Sequence, residues 1–297
     1  MLVWFLIFKQ NIMVLTQLQD ILEKASETIP AKISVAVAED KNVLEAIKAA
    51  TNNNIIAPIL VGDKEKINRL LAEIDFHVKD EDIIHATNKQ IAVEMATELV
   101  AERKAAILMK GLVSSGSLLK AVLKDEYKLK KGGLLSHLAI FESPHYHKLL
   151  GLTDAAMNIS PNLQDKVHLL NNAVEIFRKL GVDEPKVAVL CAIETVNENM
   201  DATIHASLLS TMNKRGQIKN CLVDGPLALD NAISREAALH KNITGEVAGD
   251  SDILLAPDIN SGNILYKSLN FLGGSSSAAV IIGAKVPIVL TSRSDNE

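Results

Sequence analysis

Short apolar runs alternate with amphipathic stretches along almost the whole chain, and this alternation limits the fold more than any other feature. Lys32-Ile-Ser-Val-Ala-Val-Ala38 reads as a strand. Asp40 then stands where a helix N-cap belongs, ahead of Val43, Leu44 and Ile47 on one face. Ile55 to Val61 reads as a second strand stopped by Gly62, and Asp63 as the cap of a helix carrying Ile67, Leu70, Leu71 and Ile74. Thr87 to Glu102 is expected to be helical and Ala105 to Met109 a strand. A β-α-β-α succession predicts a mainly parallel sheet with helices on both faces. Composition agrees. Apolar residues are 48% of 297 and aromatics only 3%, so the core falls to Ala, Val, Ile and Leu, the residues of buried parallel strands.

Upstream, Thr16-Gln-Leu-Gln19 reads as a capping box opening a helix with Leu18, Ile21, Leu22 and Ala25 on one face. From Lys128 to Gly133 the chain turns basic and glycine-containing, which marks the border of a second α/β domain. Beyond it, strands are expected at Ser136–Glu142, Val187–Ile193, Lys219–Val223, Ile253–Ala256, Ala278–Ile282 and Val286–Leu290. Helices are expected at Asp165–Leu180, with Val167, Leu170, Val174 and Phe177 inward and Gly181 as stop, at Asn199–Lys214 and at Pro226–His240.

The formal net charge of −5 leaves no basic footprint for nucleic acid. Two cysteines, Cys191 and Cys221, make neither a disulfide framework nor a zinc site, and both read as buried, inert thiols of a reducing cytosol. The opening run Met1-Leu-Val-Trp-Phe-Leu-Ile-Phe8 ends at Lys9, short of the ~20 residues a membrane span needs. It also lacks the basic start and small-residue cleavage site of a secretory signal. A translation start at Met13 is the expectation, with N-terminal sequencing as its check. The protein is expected in the cytoplasm, off the membrane.

In parallel α/β sheets ligands gather at the carboxyl ends of strands. The first loop to consider is therefore Lys110-Gly-Leu-Val-Ser-Ser-Gly-Ser117, with Gly111 and Gly116 at P-loop spacing. Ser114, Ser115 and Ser117 bring hydroxyls, and a helix is expected to start at Leu118. Ser117 stands where a P-loop lysine must be, which argues against nucleotide hydrolysis. Two readings stay open: an anion cradle of backbone N–H groups, or a plain strand-to-helix turn capped by Ser117. The second loop is Pro257-Asp-Ile-Asn-Ser-Gly-Asn-Ile-Leu-Tyr-Lys267, where Asp258, Asn260, Ser261, Asn263, Tyr266 and Lys267 crowd around Gly262 at a helix start. It is either a binding loop or a well-capped helix. The third is Thr291-Ser-Arg293, where an arginine can hold phosphate in a fork or simply face solvent. His145-Tyr-His147 lacks a third metal ligand at useful spacing. Glu194 and Glu198 follow a strand and are candidate acid–base groups, with solvated carboxylates as the plain alternative. No Gly-x-Gly-x-x-Gly and no Gly-x-Ser-x-Gly occurs.

Taken in order, several stretches resemble the phosphate acetyl/butyryltransferase family: Ala57-Pro-Ile-Leu-Val-Gly-Asp63, Lys110-Gly-Leu-Val-Ser114, Leu152-Thr-Asp-Ala-Ala156, Asp224-Gly-Pro226 with Asp230-Asn-Ala232, Ala248-Gly-Asp250, and above all Ala256 to Lys267. Ser136 to Glu142 with the two-histidine loop is more similar to the butyryl branch. The resemblance implies the reaction acyl-CoA + phosphate ⇌ acyl phosphate + CoA on butyryl or branched short-chain groups. Coenzyme A is then a substrate, with no metal or redox cofactor. It implies two three-layer α/β/α domains of the isopropylmalate dehydrogenase type with a cleft between them, residues 1–132 plus 286–297 and residues 133–285. It also implies a homodimer or larger assembly.

By the same resemblance Ser292 contacts the acyl carbonyl or thiol and Arg293 grips phosphate, meeting Lys110–Ser117 across the cleft. Lys120 falls where a family arginine is common, and a lysine there is a point charge rather than a fork. Asn260, Gly262, Asn263, Tyr266 and Lys267 match the family's glycine-asparagine motif. The acetyl branch's acidic base a few residues past Ser-Arg has no counterpart at that spacing, Asp295 being too close, so the base comes from elsewhere or the chain is compromised. Two other classes remain open: a dehydrogenase of the related fold, which NAD reduction would reveal, and a non-catalytic CoA-binding module. A direct consequence of the Arg293 assignment is that Arg293→Ala raises the KM for phosphate and lowers kcat; wild-type kinetics in that variant would remove Arg293 from the site.

Overall fold

Val35 and Ala36 are neighbours in one strand, and neither has any solvent exposure. Successive strand side chains point to opposite faces, so both faces of that strand are covered. Leu60 with Val61, and Ile253 with Leu254 and Leu255, repeat the pattern in other strands. The computed structural model describes residues 15–290. They fall into two compact units, residues 22–133 with 279–290, and residues 15–21 with 134–278. No helix among the described residues is long and apolar enough to cross a membrane.

The chain enters through α1 (Leu18–Ser26), where the Asp20 carboxylate accepts from the N–H groups of Thr16 and Gln17, each at 3.0 Å. The first unit then runs β1 (Ala31–Ala36), α2 (Lys41–Asn52), β2 (Ile56–Gly62), α3 (Lys64–Glu73), β3 (Ile83–His85), α4 (Lys89–Ala101), β4 (Ile107–Lys110) and α5 (Ser115–Val122). Short polar side chains start its helices, at Asp40 and Asp63 as expected and at Asn88 in addition. Asp40 accepts from the N–H of Val43, Asp63 from that of Lys66 and Asn88 from that of Ile91. The core joins Ile33 and Val35 of β1 to Leu44 and Ile47 of α2, Leu60 of β2, Ile67 of α3 and Met109.

The second unit holds β5 (Ser136–Glu142), β6 (Leu150–Thr153), α6 (Leu163–Lys179), β7 (Lys186–Leu190), α7 (Asp201–Lys214), β8 (Leu222–Leu227), α8 (Leu229–Ile233), α9 (Arg235–His240), β9 (Ile253–Leu255) and α10 (Ile259–Phe271). The chain goes on through β10 (Ser276–Ile282) to β11 (Ile288–Val289) in the first unit. Strand order in the first unit is β3-β2-β1-β4-β11-β10, parallel except for β10 with β11. In the second it is β5-β6-β9-β7-β8, parallel except for β5 with β6.

Several expectations are corrected. Strands β3 (Ile-Ile-His) and β6 (Leu-Gly-Leu-Thr) were not anticipated; each is short and includes a polar residue or a glycine, so no apolar run marks it. The helix expected from Pro226 to His240 starts late and is broken. Pro226 still lies in β8, and Ser234, in extended conformation, separates α8 from α9 while its hydroxyl caps α9 at the N–H of Ala237. The strand expected to reach Ile193 ends at Leu190, which leaves Cys191 partly exposed rather than buried.

Charges cluster at the amino ends of β7 and β9. Lys186 reaches Asp250 at 2.5 Å, and Lys148 reaches Asp250 at 3.0 Å and Asp252 at 2.7 Å. His147 contacts Asp250 at 2.9 Å. Burial alone would raise the Asp250 carboxyl, but hydrogen bonds from Lys186, Lys148 and His147 hold it well below the usual carboxylate range. A folded pKa below the unfolded one stabilises the fold above the unfolded pKa and is lost as pH falls through the folded value. Resistance to thermal unfolding should therefore weaken in acid, from about pH 4 downward. Asp250→Asn should remove that part of the slope and cost about 1 kcal/mol at neutral pH, because solvent screens the cluster. Melting curves across pH check this; an unchanged acid slope would refute the role.

Candidate functional site

The first unit presents the Lys110–Ser117 turn at the carboxyl end of β4. Its conformation follows from close backbone packing. Gly111 donates to Ala36 O at 2.8 Å, and a Cβ at Gly111 would stand 2.1 Å from Val37 O. Lys89 Nζ donates to Leu112 O and holds the turn from α4. The helix begins at Ser115, not Leu118, and its cap is Ser114 rather than Ser117. Ser114 Oγ accepts from the Ser117 N–H at 3.1 Å and lies 2.7 Å from Ser117 Oγ. Ser115 is half-buried and Gly116 is exposed with open space at its α-carbon. Lys110 donates to Gly111 O. Lys120 is exposed in the last turn of α5, not the first, where the capped amide groups lie. Thr291, Ser292, Arg293 and Asp295 lie outside the described residues.

In the second unit the Pro257–Lys267 stretch forms the capped start of α10, directly after β9. Asp258 is the N-cap; its carboxylate accepts from the Ser261 N–H at 2.9 Å and faces the Ser261 hydroxyl at 3.2 Å. Much of the motif holds this helix in place. Gly262 is the only buried residue of α10, and a Cβ there would meet Asp154 O at 2.3 Å. Asn263 Nδ2 donates to Ala155 O at 3.0 Å. Tyr266 meets the rings of His137 and Phe141 edge-on, with centroids 5.7 and 5.6 Å apart. Lys267 Nζ stands over the rings of Tyr266 and Phe271. Asn260 and Ser261 are exposed.

Asp154 is the hub beneath this helix. It is 2% exposed. Its carboxylate accepts from the N–H groups of His137, Ala156 and Met157 and from Asn158 Nδ2, at 2.6 to 3.1 Å. Thr153 Oγ1, next to it, is buried without a hydrogen-bond partner.

The second unit also holds a group that sequence reasoning missed. Lys166, in the first turn of α6, is 3% exposed, and its Nζ is 3.1 Å from Nδ1 of His205 on α7. Burial pulls the Lys166 ammonium below the ordinary lysine range, against the opposing fields of Cys191, Asp258 and Asp201. Burial, with Lys166, likewise lowers His205. Cys191, just after β7, is pushed up to about 11 by burial, which leaves it a thiol at neutral pH and unsuited to carry an acyl group. Cys221 is buried and also pushed up to about 11. The signal for Lys166 was available: it shares a helix face with Leu169, Leu170, Ala173 and Phe177, where a lysine is out of place. Of the other candidates, Glu194 is held below the usual carboxyl range by Lys241 and also accepts from Asn231 Nδ2, which ties it into an ion pair. No metal-holding cluster occurs among the described residues, the His145–His147 loop included.

The two glycines should respond in opposite ways. Gly262→Ala has no room and should cost at least about 2 kcal/mol. Gly116→Ala has open space in a helix and should be neutral or stabilising by up to about 1 kcal/mol. Urea unfolding of both variants decides; a tolerated Gly262→Ala would contradict the close approach of α10 to Asp154.

Comparison with known proteins places this geometry in a lineage. The chain matches the family described as phosphate acetyl/butaryl transferase over residues 16–104 and 78–297. It is 46% identical to the phosphate butyryltransferase of Clostridium beijerinckii over 277 residues, 93% of this chain and 92% of that one. It is 43% identical to the phosphate acetyltransferase of Thermotoga maritima over 266 residues, 90% of each chain. Among solved structures, a branched-chain phosphotransacylase from Enterococcus faecalis V583 superposes with a TM-score of 0.78 at 35% identity, covering 89% of this chain and 93% of that one. The chain therefore belongs to the phosphate acetyl/butaryl transferase family and is an acyltransferase.

Proposed function

We propose that this protein moves a butyryl or branched short-chain acyl group between coenzyme A and phosphate, acyl-CoA + phosphate ⇌ acyl phosphate + CoA, by direct attack within a ternary complex. The observation that carries the reading is the position of Pro257–Lys267: the most specific stretch of the family pattern forms a capped, polar helix start at the carboxyl end of β9, where parallel sheets bind ligands. The polar groups of that helix start receive acyl-CoA. The Lys110–Ser117 turn, with Arg293, receives phosphate. Amides at the start of α5 suit an anion, and an arginine fork suits phosphate geometry.

In the direction of CoA acylation, the thiolate of CoA attacks the carbonyl carbon of acyl phosphate and phosphate departs. Holding both substrates together supplies much of the rate. Cationic and N–H donors stabilise the charge that develops on the carbonyl and phosphate oxygens. Ser292 is assigned to the carbonyl or sulfur end. Cys191 takes no covalent part, because burial keeps it protonated. No redox or metal cofactor is needed, since the reaction is acyl substitution throughout.

The acetyl reading stays in the test because the Thermotoga maritima relative is nearly as similar. Thiol release from acetyl-, butyryl- and isobutyryl-CoA, with and without phosphate, separates the two. Release should depend strictly on phosphate, and the four-carbon substrates should exceed acetyl-CoA in kcat/KM by about tenfold or more. Equal or better use of acetyl-CoA would reassign the acyl group, and release without phosphate would end the reading.

A further inference from the structure

Among the described residues, seven other than glycine have positive φ. Asn54, Asp75, Arg103, Lys128, Asn220 and Asn242 are polar or charged and lie exposed, where a chain reversal can use the left-handed region. The seventh is Val37, at φ 58°, just after β1. It is β-branched and has no solvent exposure. Valine is poorly suited to that region, because its Cβ crowds the following carbonyl. Such a conformation persists only where the surroundings impose it.

The hydrogen bonds around Val37 show what the conformation achieves. β1 lies between β2 and β4 and runs parallel to both. In a regular strand the carbonyls of successive residues point to opposite neighbours. Ala36 O points to the β4 side, where it accepts from the Gly111 N–H at 2.8 Å. A continued strand would aim Val37 O at β2. Instead Val37 O accepts from the Leu112 N–H at 2.7 Å, again on the β4 side, while the Ala38 N–H donates to Val61 O of β2 at 3.1 Å. The peptide between Val37 and Ala38 is thus turned over, and two consecutive carbonyls hold two consecutive amides of the turn that leaves β4. The approach is close enough to require glycine: a Cβ at Gly111 would stand 2.1 Å from Val37 O. Leu112 is fixed from its other side too, its carbonyl accepting from Lys89 Nζ at 2.9 Å. The first half of the Lys110–Ser117 turn is therefore pinned to the end of β1, and the start of α5 follows from that fixed point.

Building on the assignment of phosphate to this turn in the acyl-transfer reading above, we propose that Val37 is a positioning residue of the reaction: its left-handed backbone aims a second carbonyl at the turn and so sets where the start of α5 meets phosphate. Val37 itself touches no substrate. Its buried side chain holds the residue in place, its carbonyl locates Leu112, and the residues that follow Leu112 carry the polar groups of the turn. Stability alone would favour glycine or asparagine at such a φ. A branched apolar residue instead leaves the flipped peptide one well-defined orientation, which a site that must hold an anion in register requires.

The test uses the full chain with butyryl-CoA and inorganic phosphate, followed by release of the CoA thiol. Val37→Gly, which admits the same φ but no longer fixes it, should raise KM for phosphate at least about fivefold and change KM for butyryl-CoA by less than about twofold. Gly111→Ala, whose Cβ meets Val37 O, should raise KM for phosphate at least about 20-fold. Adding Val37→Gly to Gly111→Ala should recover at least about threefold of that loss, because a glycine at 37 lets the carbonyl turn aside. Equal rises in both KM values would reduce Val37 to a general structural role, and simply multiplying losses in the double variant would show no coupling; either result overturns the proposal. Hydrogen exchange on the wild type decides if the variants do not fold: the Leu112 amide should exchange at least about 100-fold more slowly than that of Gly116, and equally fast exchange would remove the bond on which the proposal stands. A wild type that releases no thiol when phosphate is added fails the acyl-transfer reading itself, whereas an active wild type beside a Val37→Gly enzyme with unchanged KM for phosphate fails only this inference.

Discussion

The Asp154 carboxylate is the contact on which the second unit's ligand end depends. It stands directly after β6 and accepts four donors from β5, from its own turn and from Asn158. A buried carboxylate is costly unless its lone pairs are filled, and here they are. The filled carboxylate fixes the path of residues 154–158. That path presents two carbonyl groups, Asp154 O and Ala155 O, to α10. The helix rests on the first through the bare α-carbon of Gly262 and bonds the second through Asn263. The polar residues at the start of α10 are therefore placed by a chain of contacts that begins at one buried aspartate. Such a chain tolerates little slack, because each link is a hydrogen bond or a van der Waals limit rather than a soft apolar surface.

This bears on how a glycine-asparagine motif should be read. Gly262, Asn263 and Tyr266 stand out in the sequence because they are unusual residues for an apolar helix, and that singularity invites a ligand-binding role. In the folded chain their side chains or α-carbons are engaged by the protein itself. Asp258 is likewise spent on capping. Asn260 and Ser261, on the exposed side, are the members of the stretch most accessible to a ligand. A motif can thus mark a site faithfully while most of its residues build the site instead of touching the substrate.

Much of the architecture was legible because the long elements have clear periods. The caps Asp40 and Asp63 and the inward faces of α2, α3 and α6 follow directly from spacing. Short strands were legible only where an apolar run marked them: β9, of three residues, was expected within Ile253–Ala256, whereas β3 (Ile-Ile-His) and β6 (Leu-Gly-Leu-Thr) carry a polar residue or a glycine and were not. The region after Pro226 was misread because apolar residues at helical spacing fit a single long helix as well as a strand end and two short helices; only the extended Ser234 separates them. At the site, what was legible was residue type in a loop. What was not legible was the pairing of residues far apart in the chain. Asp154 finds His137, and Lys166 finds His205, through the fold alone.

Lysines at the two ends of the second unit's sheet make the final contrast. At the amino ends of β7 and β9, Lys148 and Lys186 are each matched to Asp250 or Asp252, so charge is neutralised locally and holds strands together. At the carboxyl ends, Lys166 is more deeply buried and is matched to a histidine, which offers one lone pair and no compensating charge. Stability alone would favour the first arrangement at both ends, or a leucine in place of Lys166 on the apolar face of α6. The difference tracks the polarity of the parallel sheet, whose carboxyl ends are where ligands bind. An amine buried there with no ion pair among the described residues lowers the stability of the fold relative to an apolar side chain, which sets Lys166 apart from the strand-holding pairs at the other end.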